Sequence, residues 1–113
     1  MNSQDASGPG EPNKRLVLLE RLLKSGQADS FAHYGLAMEY KKLGRIDDAL
    51  SVFATLRQKD GAYVPQYLMA GQMLAGAGRS AEARDWLEQG IAQAQSAGNT
   101  HALSELEGAL ATL

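Results

Sequence analysis

The chain has 113 residues, 44% of them hydrophobic and 21% charged, with a net charge of −2 and no cysteine. That is the composition of an ordinary globular domain; disulfides and thiolate metal sites are excluded, and the slight acidic balance provides no electrostatic footing for nucleic acid. No apolar run approaches the roughly 20 residues of a membrane span, and the opening MNSQDASGPGEP lacks the charged-then-apolar order of a secretory leader, so a soluble, cytoplasmic chain is expected.

Residues 1–12 are polar and rich in Ser, Gly and Pro, too poor in apolar groups to offset the entropy of ordering, and are predicted to be a flexible tail. From Asn13, NKRLVLLERLLKSG sets Leu16, Leu19, Leu22 and Leu23 at helical spacing, with Asn13 as N-cap and Gly26 as stop; this predicts a helix over 13–26. The second helix is capped by Asp29 or Ser30, carries Leu36, Ala37 and Tyr40 on one face and ends at Gly44. A third runs from Arg45 to Asp60, with Ala49, Phe53 and Leu56 inward and Asp47 and Asp48 at its positive end. Val64-Pro65 opens a fourth, with Tyr67, Ala70, Gly71 and Leu74 on its inner side; proline suits a first helical turn. Ser80 is the expected cap of the fifth, which turns Ala83, Leu87 and Ile91 inward. The last, over 99–113, repeats leucine at Leu103, Leu106, Leu110 and Leu113. Six helices with short turns and no credible strand predict an all-α protein.

The hexapeptides GRIDDA (44–49) and GRSAEA (78–83) place Gly, Arg and Ala in the same register 34 residues apart. Aligning residues 30–63 with 64–97 extends the match in chemistry. Ala37 meets Gly71, both small; Tyr40 meets Leu74 and Phe53 meets Leu87, all large. One helical hairpin is written twice. With this period and these positions the chain resembles the tetratricopeptide repeat family. His33 at an aromatic position and Leu56 at a small one depart from its pattern. The resemblance implies antiparallel hairpins stacked as a short right-handed solenoid. Residues 30–63 and 64–97 would be full repeats, 13–26 a lone second helix capping the stack, and 99–113 a lone first helix capping the other end, in a register shifted by two residues. Such caps cover apolar faces that a stack would otherwise expose.

The residues show no catalytic constellation. His33 and His101 lack spaced ligand partners; GAGRS at 76–80 lacks the Gly-Lys-Ser/Thr ending and preceding strand of a phosphate loop and reads as an inter-helix turn. Asp47 and Asp48 read as solvated partners of a helix dipole. No enzyme activity, cofactor or metal is expected. In the family, first helices line a concave groove. Register carries this onto Phe31, Tyr34, Met38 and Lys41, then Leu68 and Gln72 between Pro65 and Ala75, with Met69 beside them. The last helix adds His101, Ser104 or Glu105, and Gly108. Members that grip a C-terminal carboxylate use lysine and asparagine where this chain has Tyr34 and Met38. The implied ligand is therefore an apolar helix or extended segment of a partner protein, with no nucleic acid or membrane involved. Two alternatives stay open: these apolar side chains pack on one another, or the chain is a self-association module, such as a homodimer, that buries its groove or ends. Trp86, in register with Val52 and Leu18, is expected to pack between helices.

Overall fold

A computed structural model describes residues 10–113. Its elements are α1 (Gly10–Lys24), α2 (Ser30–Lys42), α3 (Ile46–Lys59), α4 (Pro65–Gly76), α5 (Ser80–Ala97) and α6 (Thr100–Ala111), with no strand among the described residues. The chain separates into two compact units, one ending at Ala54 and one spanning Thr55–Leu113. The all-α helical-repeat expectation is met.

In the first unit α1 packs on α2. Leu16 and Leu19 are buried, as are Leu36, Ala37 and Tyr40. Polar pairs fix the register of the two helices. Arg15 Nε donates to Glu39 Oε2 at 3.0 Å, and the Tyr40 hydroxyl donates to Glu20 Oε2 at 2.5 Å. Asp29 is the cap of α2, its carboxylate accepting from Ala32 N at 2.8 Å. His33 is buried and its Nδ1 lies 2.9 Å from the Asp29 carbonyl, which explains how an imidazole occupies an aromatic core position. Phe53 on α3 is fully buried and meets the Tyr34 ring edge-on at 6.1 Å.

In the second unit α4 and α5 form the hairpin and α6 packs against both. The close approach of α4 and α5 depends on glycine. A Cβ on Gly71 would lie 2.5 Å from Leu87 Cδ2, inside any real contact. The loop before α4 is tied down from the helix: Gln66 Nε2 donates to the Asp60 carbonyl at 2.8 Å and the Tyr67 hydroxyl to that of Gly61 at 2.6 Å. Trp86 packs as expected, its ring 5.8 Å from that of Tyr67 with the Arg57 guanidinium 3.8 Å from its centroid. Asn99 caps α6 through Ala102 N.

The repeated hexapeptide now has a residue-by-residue cause. Gly44 and Gly78 sit at φ 74° and 78°, a left-handed turn that a side chain would strain. Arg45 and Arg79 then reach forward to the acid three residues on, Arg45 Nε to Asp48 at 2.8 Å and Arg79 Nε to Glu82 at 2.7 Å. The Arg79 hydrogen bonds hold the Glu82 carboxyl below the usual carboxylate range. Ala49 and Ala83 are completely buried, where a larger residue has no room.

Three local expectations are corrected. The first helix begins at Gly10, so residues 10–12 are helical and Asn13 lies inside α1; Pro12 falls in the first turn, where its missing N–H costs nothing. The rest of the expected tail, residues 1–9, lies outside the described residues. Ser80 is the first residue of α5, and Arg79 precedes it with no side-chain cap, since a guanidinium has only donors and cannot accept from the free N–H groups of a helix start. Leu18 is 59% exposed, although Trp86 and Val52 at the matching positions are 7% exposed. Those two sit within a helical hairpin, whereas no helix precedes α1 among the described residues.

Tyr40 sets a pH dependence. Burial, the hydrogen bond to Glu20 and the charge of Glu20 push its phenol up to about 12, with Arg45 opposing. Its folded value is raised above the unfolded one, so the stability it contributes is complete below about pH 10 and lost as pH rises towards about 12. Burial raises Tyr34 and Tyr67 as well. Urea unfolding should therefore show stability falling across this alkaline window. Tyr40→Phe should cost about 0.5–1.5 kcal/mol at neutral pH and flatten part of the alkaline fall.

Candidate functional site

In the second unit α4 and α6 border a cleft of about 400 Å³, lined by Gly71 and Ala75 of α4 and by Gly108 and Ala109 of α6. Leu68 stands at one side, and Leu87 of α5, itself almost fully buried, also lines it. Gln72, Glu105 and Thr112 supply the polar groups of the lining. The side chain of Glu105 is half exposed and its carboxylate lies 3.5 Å from His101 Nε2. An apolar trough with a few hydrogen-bonding groups and one acid at its rim suits an apolar side chain beside a cation.

The cleft joins Leu68 and Gln72 from α4 with Glu105 from α6, all from the expected groove, together with Ala75 and Gly108. Met69 is half-buried on α4, and His101 is exposed on α6 and reaches the site through Glu105. Phe31, Tyr34, Met38 and Lys41 belong to α2 in the first unit. There Phe31 is 70% exposed, Lys41 is exposed, Met38 is half-buried, and Tyr34 leans on Phe53. Ala109, Thr112 and Leu87 were not expected in the lining. The repeat register points to the exposed stripe of first helices, but the walls of a cleft depend on how two helices pack. The alternation of small residues at Gly71, Ala75, Gly108 and Ala109 is the signal that could have located them.

A second hollow, of about 390 Å³, lies within the first unit among Leu23, Leu36, Tyr40 and Val52, with Glu20 and Lys24 at its edge. Its polar members are already engaged in part, since Glu20 accepts the Tyr40 hydroxyl. Among the described residues no group of three or more His, Asp or Glu side chains is placed to hold a metal ion, and no helix is long and apolar enough to cross a membrane.

Comparison with known proteins places this arrangement. The tetratricopeptide repeat family model matches residues 66–89, the heart of the α4–α5 hairpin. The crystal structure of a tetratricopeptide repeat domain protein from Salinibacter ruber is 34% identical, with a TM-score of 0.71, over 75% of this chain and 94% of that one. A solution structure of the Salinibacter ruber domain agrees, at 34% identity and TM-score 0.71, covering 74% and 85% of the two chains. The solution structure of a protein from Bordetella parapertussis is 29% identical, with a TM-score of 0.73, over 86% of this chain and 84% of that one. No curated protein matches the chain.

Proposed function

The chain belongs to the tetratricopeptide repeat family, whose fold serves protein–protein interaction, and from that premise we propose that it is a non-catalytic adaptor whose α4–α6 cleft takes a segment of a partner protein. The observation that carries the reading is the composition of the cleft. Its walls are Leu68, Leu87 and small residues, and the carboxylate of Glu105 stands at the same opening. A partner segment with one large apolar side chain in the trough and a lysine or arginine one helical turn away satisfies both. Gln72 and Thr112 are placed to hydrogen-bond its backbone or polar side chains.

Selection from a displayed random-peptide library tests this directly. The wild type should enrich apolar residues paired with a basic one. Leu68→Glu, a change at a half-buried position outside the fully buried core, should lose the enrichment. Glu105→Lys should keep the apolar preference and exchange the basic residue for an acidic one. Identical peptide sets from all three proteins would overturn the reading.

A further inference from the structure

Two helices of this fold carry positions that a hairpin would cover. Leu18 of α1 stands where Val52 and Trp86 stand in the later second helices. Trp86 packs on Tyr67 of α4, whereas Leu18 is 59% exposed and Val17 beside it 44%. At the other end, Leu103 and Leu110 of α6 correspond to Tyr67 and Leu74 of α4, each shifted by 36 residues. Tyr67 and Leu74 are 2% and 1% exposed in the α4–α5 hairpin. Leu103 and Leu110 are only half-buried. Among the described residues, then, no first helix covers this side of α1 and no second helix covers this side of α6.

Charge matches the two faces to each other. Lys14, Val17, Leu18 and Arg21 recur at helical spacing along one exposed side of α1, a basic stripe with an apolar centre. Leu103, Glu107 and Leu110 recur likewise on α6, with exposed Glu107 between the leucines. Among its charged residues α6 has Glu105 and Glu107 and neither lysine nor arginine. We propose that α6 of one copy docks through Leu103, Glu107 and Leu110 onto the Lys14–Arg21 face of α1 in a second copy, completing a hairpin between molecules. The contact joins unlike surfaces, so a pair made by one such contact still offers one face of each kind, and further copies add to it. It uses neither Leu68, Gln72 nor Glu105 and stands apart from the partner cleft.

Two blocked variants test it by sedimentation velocity of the full chain. Leu18→Glu closes the α1 face and Leu110→Glu closes the α6 face. The average mass of the wild type should rise steadily with concentration. Each variant alone should stay monomeric. Mixed in equal amounts they should form a one-to-one dimer and nothing larger, because one supplies the open α6 and the other the open α1. Should circular dichroism show that Leu110→Glu is not folded, Glu107→Arg at an exposed position takes its place, with association weakened about tenfold or more; pairing it with Arg21→Glu in the other copy should recover the loss. A wild type monomeric at every concentration, a variant that still dimerises with itself, or a mixture that stays monomeric overturns the proposal.

Discussion

Gly90→Ala is expected to lower the thermal midpoint by about 10 °C, for a net destabilisation of about 2 kcal/mol. The added methyl group would lie 2.5 Å from Tyr67 Cβ, 2.9 Å from Leu106 Cδ2 and 3.0 Å from Tyr67 Cγ. A long side chain could swing away, but Tyr67 Cβ is anchored to the α4 backbone. The ring beyond it is packed on Trp86, and its hydroxyl is bonded to Gly61. Relief therefore requires α4 and α5 to separate, which disturbs the contact with Leu106 as well. Alanine recovers up to about 1 kcal/mol through its better helix propensity, which is less than the overpacking costs. Gly108→Ala is the control. It is also within a helix, but its added Cβ meets nothing within 4 Å, so propensity should dominate and stability should rise slightly. Thermal melts of both variants decide the matter, and equal midpoints would show that the helix contact around Gly90 is looser than described.

Phe53→Ala should be the most damaging single truncation in the first unit, costing about 3–5 kcal/mol. Phe53 has no exposed surface, and its ring is met edge-on by Tyr34. Truncation forfeits the transfer energy of the ring, leaves a cavity, and removes an aromatic pair worth about 0.5–1.5 kcal/mol of its own. Set against a typical total stability of about 5–15 kcal/mol, the loss is a large fraction. Denaturant unfolding should show a lower midpoint with a largely unchanged slope. A shift below about 1 kcal/mol would mean that the site collapses around the smaller side chain and that the pocket is not rigid.

Helix placement was legible because this chain punctuates itself. Gly44 and Gly78 mark chain reversals that the structure places in the left-handed region, and the buried alanines at 49 and 83 follow at a fixed distance. The burial of Trp86 was legible from register alone. Register failed for Leu18, which has the right spacing but no helix covering it among the described residues, because exposure depends on neighbours that a local pattern does not contain. Pro12 disguised the start of α1, since a Gly-Glu-Pro sequence serves a tail and a first helical turn equally well. The expected cap at Ser80 misplaced the start of α5 by one residue, since Ser80 is already helical and Arg79, at the boundary, caps nothing with its side chain. The cleft was half legible. Leu68, Gln72 and Glu105 follow from the repeat, whereas Gly71, Ala75, Gly108 and Ala109 line it from two helices distant in sequence, whose packing on each other no local pattern contains.

Whether the α4–α6 cleft receives a partner segment is decided by amide shift mapping of the isotope-labelled chain with a peptide bearing an apolar residue and a basic one. The amides of Leu68, Gln72, Ala75, Glu105 and Gly108 should move together and saturate with a single affinity, and Leu68→Glu should abolish the change. Shifts that leave these amides still and fall instead on Val17, Leu18 and Arg21 would contradict binding in the cleft.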